Sequence, residues 1–384
     1  MADIITPPPP EPQPTTNHDD DDDDSSRTAI THQPPPLLSK ITYLSKLYTT
    51  KSICTPLVWF RDWKEYFYPP PTQPDIIKTY ECRPDLPVRI FFPSSYDLTS
   101  PHTLPTLFTL HGSVTAPFCL GDPRDDDEFN RAFADKYNTL VIALNYSKSP
   151  ASVFPTPIFD VEALLLAALA DESLPIDRTS PRGDDTGKKG RVGILGFGAG
   201  GNLAMAVTIL DEVRRCESYP GVVVSWGGWL DLATDKGEGE VWKWGYVPYG
   251  QDLREGLVSP FYAGGGELPE WRGFIAGEGG GLEWENWALA RRLAGRGEIN
   301  RGEICGREGT GNKKGLERKD ERFWFEEEKV KWVLVPGVGA GFEHREVREE
   351  MGVGEEVVKD AEGKAELVME ELGRWLGRVW GVDG

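Results

Sequence analysis

The chain has 384 residues, 39% of them hydrophobic and 13 of them Trp, which suffices for a large buried core and excludes disorder throughout. A formal net charge of -20 leaves no basic face for phosphates and argues against a nucleic-acid partner. Five scattered cysteines (Cys54, Cys82, Cys119, Cys216, Cys305) form no C-x-x-C pair and lack histidines at ligand spacing, so they read as reduced thiols of a cytoplasmic protein, with no metal site and no cofactor.

Residues 1–36 combine proline runs with the unbroken Asp19 to Asp24 stretch, a composition that cannot offset the entropy of ordering, and are expected to be a disordered tail. No segment reaches the roughly 18 apolar residues of a membrane span. Apolar residues recur at helical spacing over 37–48 and an aromatic-rich stretch follows over 59–68, so 37–70 reads as a small N-terminal helical cap. Beyond it, short apolar runs alternate with helix-length segments, the pattern of an α/β fold with a mostly parallel sheet. Eight strands are expected, at 76–82, 88–92, 106–111, 139–145, 191–196, 221–225, 273–276 and 330–335. Helices are expected at 125–137, 157–170, 199–215, 282–294 and 355–379, all within one domain spanning 37–384. Two stretches without periodicity, 179–190 and 295–322, read as surface insertions.

Between Arg191 and Met205 an expected strand enters a Gly-rich turn and a helix, reading R-V-G-I-L-G-F-G-A-G-G-N-L-A-M. Gly196, Gly198 and Gly201 satisfy the G-x-G-x-x-G of dinucleotide sites, but the next strand ends at Trp226 without the acidic residue that would hold a ribose. The same stretch has the outline of a nucleophile elbow. G-F-G-A-G-G-N-L-A resembles the G-D-S-A-G-G-N-L-A of the hormone-sensitive-lipase/esterase family of α/β-hydrolases. Other motifs similar to that family follow in order: His111-Gly112-Ser113 for the oxyanion loop, Asn145 to Pro150 with Phe154-Pro155 and Asp160, Trp229 to Leu232, Ser259-Pro260 and Ala276-Gly277-Glu278. The resemblance covers roughly residues 88–342 and implies an α/β-hydrolase fold.

Carried over position by position, the resemblance places the nucleophile at Gly198, the acid at Gly280 and the catalytic histidine at Ala340, a degenerate triad in which no residue has the atom its role requires. Glu278, Glu283 and Glu285 are substitute acids by position, and His344, four residues beyond Ala340, reads as an exposed loop residue. The remaining equipment is a ligand-binding set of His111, Gly112, Ser113, Gly198 and Ala199, whose backbone N–H groups and helix N-terminus suit a carbonyl or carboxylate. These readings lead to the expectation of a non-hydrolytic small-molecule binder or pseudo-esterase. The alternatives are a non-hydrolytic cyclase, or a carboxylic-ester hydrolase with a non-standard site.

Overall fold

The computed structural model describes residues 29–183, 189–306, 315–350 and 354–382. Its elements in chain order are α1 (Leu37–Phe67), β1 (Ile76–Tyr80), β2 (Arg83–Phe91), β3 (Thr106–Leu110), α2 (Asp127–Tyr137), β4 (Leu140–Leu144), α3 (Thr156–Ala170), β5 (Val192–Phe197), α4 (Ala199–Ile209), α5 (Asp211–Arg215), β6 (Val222–Trp226), α6 (Glu240–Tyr246), β7 (Trp271–Gly279), α7 (Glu283–Leu293), β8 (Trp324–Glu327), β9 (Val330–Gly339), α8 (Arg345–Glu350) and α9 (Glu355–Trp380).

One sheet runs in the order β1-β2-β4-β3-β5-β6-β7-β9-β8. The six strands from β4 to β9 are parallel, and the pairs β1–β2, β2–β4 and β8–β9 are antiparallel. Central strands are covered on both faces, which is why β5 and β6 are apolar but for Ser225, with every residue buried. Alternate side chains feed two cores. Ile194 and Val223 point to the layer containing Leu203, Ala204 and Leu289. Leu195, Phe197, Val222, Val224 and Trp226 point to the layer containing Phe133, Trp375 and Trp380. The indole of Trp375 lies against Gly273 and that of Trp380 against Gly193, where a Cβ would stand 3.1 Å and 3.2 Å from the two rings.

Nine strands occur among the described residues, where eight were expected. The additional β8 joins β9 through Glu328 and Lys329, both at positive φ (46° and 67°). Such a turn is ordinarily signalled by Asn or Gly, so Glu-Lys concealed the hairpin. The expected helix over 199–215 breaks at Leu210, whose ψ of 135° is extended, leaving α4 and α5. The N-terminal helix is longer than expected, passing through Pro56 to Phe67.

Most of the expected tail, residues 1–28, lies outside the described residues. Residues 29–36 depart from the expectation, because Thr31 bridges Asp252 and His32 is buried with its backbone N–H donating to the Gln251 carbonyl at 2.8 Å. Residues 184–188 and 307–314 of the two insertions are likewise outside the described residues. The flanks of the second insertion are tied to the body by Arg296, which pairs with Glu321 and Glu327, and by Arg301, which pairs with Asp231.

Candidate active site

The turn between β5 and α4 is built by glycines that allow backbones to touch. A Cβ on Gly196 would stand 2.0 Å from the Gly200 carbonyl oxygen, and one on Gly200 would stand 2.3 Å from the Leu110 carbonyl oxygen. Gly198 occupies the apex at φ 50°, ψ -117°, a conformation costly for any residue with a Cβ. Space above it is open, for a Cβ there meets nothing closer than 3.8 Å, and its neighbours are Gly112 Cα and Ser113 N. Gly196 and Gly200 thus serve the close approach of β5, α4 and the loop after β3, whereas Gly198 supplies the conformation of the turn.

Above this turn lies a crevice of about 130 Å³ whose wall includes Ser113, Gly198, Ala199, Gly280, Ala340 and His344. Gly198, Gly280 and Ala340 therefore converge, with the loops after β7 and β9 side by side: a Cβ on Gly280 would lie 3.5 Å from Ala340 N. Of the expected ligand set, Gly112, Ser113, Gly198 and Ala199 line the crevice, and His111 does not. The His111 ring is buried behind the loop, stacked on Tyr146 with centroids 4.4 Å apart, and burial followed by the charge of Lys148 pushes its pKa well below the usual histidine value. The Ser113 hydroxyl accepts from the Ala116 N–H at 3.2 Å, which keeps it occupied in the loop. Ala199 is the first residue of α4, so its N–H has no intrahelical acceptor and marks the positive end of the helix.

His344 is not the exposed loop residue expected. Its side chain is 17% exposed, its ring lies 5.6 Å edge-on from Phe197, and it forms part of the crevice wall. Nδ1 is 3.4 Å from Asp126 Oδ1 and Nε2 is 3.4 Å from Glu343 Oε1. The Asp126 contact lacks hydrogen-bond alignment, since Asp126 Oδ1 has no hydrogen-bond partner among the described residues. Asp126 was not singled out in the sequence; it sits inside the run Asp125-Asp126-Asp127, which reads as a solvated helix start. Burial, reinforced by Asp125 and Glu343, raises its carboxyl well above the usual range. Burial likewise raises Glu343. None of the substitute acids lines the crevice. Glu278 accepts from the Gly337 N–H, and Glu285 is buried against Lys236 while accepting from the Leu230 N–H.

Burial holds Glu285 at about 7 against the pull of Lys236, and Asp127 at about 6 against Arg89. Both native values lie above those of an unfolded chain, near 4, so the native state binds these protons more tightly. Their stabilising contribution is complete below pH about 4 and is lost as pH rises through about 6 to 7. Asp122 acts in the opposite sense: burial raises it, but Arg124 outweighs burial and holds it at about 2, so its contribution is lost only in strong acid. The melting temperature is therefore expected to fall by several degrees, roughly, between pH 5 and pH 8, and Glu285→Gln is expected to flatten that fall. A Glu285→Gln protein with an unchanged slope in differential scanning fluorimetry would exclude Glu285 as its source.

A family model described as the alpha/beta hydrolase fold matches residues 107–299. The chain belongs to this family. Its motifs and relatives place it with the hormone-sensitive-lipase/esterase type. Among curated relatives, the arylacetamide deacetylase of Bos taurus is 32% identical over 142 residues, covering 36% of this chain and 32% of the relative. The acetyl-hydrolase of Streptomyces hygroscopicus is 30% identical over 131 residues, covering 34% of this chain and 38% of the relative. The matched region spans about a third of the length of these relatives. In structure, the Pyrobaculum calidifontis esterase superposes with a TM-score of 0.58 at 16% identity, covering 91% of this chain and all of that one. The carboxyl esterase 2 of Tuber melanosporum gives 0.56 at 17%, covering 79% and 86%. The structural likenesses show the fold. The curated relatives correct the expectation of a non-hydrolytic binder or pseudo-esterase: they are deacetylases and acetyl-hydrolases, and they point to hydrolysis. That expectation rested on Gly198, Gly280 and Ala340 and on reading His344 as an exposed loop residue, whereas its imidazole stands on the same crevice wall.

Proposed function

We propose that this protein hydrolyses small carboxylic esters or acetamides by a non-standard site in which water takes the place of a side-chain nucleophile. The observation that carries the reading is His344, beside Asp126, on the wall of the crevice that Ser113, Gly198 and Ala199 also line. Gly198, Gly280 and Ala340 occupy the positions of the family triad, and the open space over Gly198 is where water stands. His344 takes a proton from that water as its oxygen bonds to the acyl carbon. The N–H groups of Ser113 and Ala199 receive the carbonyl oxygen as it becomes an oxyanion. On collapse the bond to the alcohol or amine breaks, and the protonated imidazole returns its proton to the leaving group. Asp126 lies against the ring, its Oδ1 3.4 Å from Nδ1. The crevice suits an acyl group as small as the acetyl in the names of the relatives. All five cysteines are free, which supports a reducing compartment such as the cytoplasm.

Water attack leaves no acyl-enzyme. Turnover of p-nitrophenyl acetate and 4-nitroacetanilide is expected above the buffer rate, with no pre-steady-state burst and no labelling by a fluorophosphonate probe. Stoichiometric phosphonylation of a serine would overturn the water mechanism, and absence of turnover would overturn the hydrolase reading itself.

A further inference from the structure

The longest helix of the chain carries its apolar residues on the outside. Leu47 faces inward and is buried against Gly245 of α6, while Tyr43 and Lys46 rest on Trp244 and Trp242. Arg61 pairs with Asp125 at 2.5 Å, and Glu65 lies 3.6 Å from Arg124, which fastens the far end of α1 to the segment leading into α2. On the face turned away, Leu37, Ile41, Leu44 and Tyr48 follow helical spacing, and Trp59, Trp63, Tyr66 and Phe67 resume it. These side chains are exposed, Trp59 to 70% and Tyr66 to 82%. Exposed apolar residues in this number on a monomer mark an interaction surface, here two patches toward the ends of α1 separated by Thr49, Ser52 and Thr55.

We propose that this face of α1 docks the protein on an anionic lipid surface, lying in the plane of the headgroups. Charge identifies the occupant. Within a chain of net charge -20, α1 has five basic residues (Lys40, Lys46, Lys51, Arg61, Lys64) against Asp62 and Glu65. On a helical projection, Lys40 falls along one border of the apolar stripe and Lys64 along the other, both exposed, with half-buried Lys51 beside Lys40 and Lys46, whose ammonium lies over Trp242, beside Lys64. Lysines flanking a band of Trp, Tyr and Leu are the arrangement of interfacial helices, whose stems extend over apolar surface while the ammonium groups reach lipid phosphates. The acidic remainder of the protein is repelled by such a membrane, so attraction is confined to this side. A second copy would set the same lysine borders against each other. Residues 7–28 are acidic but contain no large apolar side chain, so they suit the lysines and not the stripe. Among the described residues no helix is long and apolar enough to cross a membrane, so α1 rests on the surface. Docking of this kind does not depend on the hydrolase reading.

The test is co-sedimentation of the full chain with vesicles of phosphatidylcholine, with and without roughly one-third phosphatidylserine. Partition onto the anionic vesicles is expected to exceed that onto the neutral ones at least tenfold or so and to weaken with salt. The double change Trp59→Glu, Trp63→Glu is expected to lower it about tenfold or more while leaving the melting temperature unchanged, because both side chains are exposed. Equal sedimentation with and without anionic vesicles overturns the proposal, as does binding that survives the double change. A dimer in analytical ultracentrifugation that the double change dissociates also overturns it, since the stripe then joins two copies.

Discussion

Gly196→Ala is expected to destabilise the fold severely rather than to trim activity. The added Cβ would stand 2.0 Å from the carbonyl oxygen of Gly200 and 2.2 Å from its carbon, and both are backbone atoms with no rotamer to yield. β5 cannot slide away, because it is paired with β3 on one side and β6 on the other. Nor can α4 retreat, because Gly200 is itself pressed against the carbonyl oxygens of Leu110 and His111. Overpacking of a rigid interior costs about 1–3 kcal/mol where side chains can adjust, and a backbone collision exceeds that, on the order of 4 kcal/mol or more. A domain of ordinary stability has about 5–15 kcal/mol to lose. The measurement is soluble yield and the urea midpoint, with Gly198→Ala as the companion. There the Cβ has 3.8 Å of clearance and the cost is the positive φ alone, about 1–2 kcal/mol. A Gly196→Ala protein with the wild-type midpoint would mean that β5 and α4 part more easily than their packing indicates.

His344→Ala is expected to lower kcat/KM for p-nitrophenyl acetate about a hundredfold, the lower end of what a positioned general base contributes. The fold is expected to survive, since the imidazole makes edge contact with Phe197 and two contacts at 3.4 Å with carboxyl oxygens. Ser113→Ala is expected to retain most activity, because the loop supplies its backbone N–H and the hydroxyl is engaged by Ala116. Wild-type rates in His344→Ala at every pH would place the base elsewhere.

The elbow and its sheet were legible in the sequence because they are local: a strand, a glycine turn and a helix occupy neighbouring residues, and the parallel core leaves uninterrupted apolar runs. Gly112, Ser113, Gly198, Ala199, Gly280 and Ala340 were brought together in the sequence only by the resemblance to the hydrolase family, since no local pattern links the loops after β3, β5, β7 and β9. His111 was misplaced because its position beside the loop says nothing about which way its ring turns, and Tyr146 draws it inward. The contact between His344 and Asp126 joins two parts of the chain remote in sequence, and neither residue carries a local signal of the other. Chemistry that depends on a tertiary approach leaves no trace in spacing.

The placement of α9 bears on how the protein is made. Trp375 and Trp380 cover Gly273 and Gly193 on the face of the sheet that also bears Val222, Val224 and Trp226. A ribosome delivers α9 only after every strand of that sheet, so the emerging chain carries an apolar wall that its own final cover has yet to meet. During that interval the nascent protein is at its most prone to aggregate, and a chaperone that shields exposed sheet faces has its substrate there.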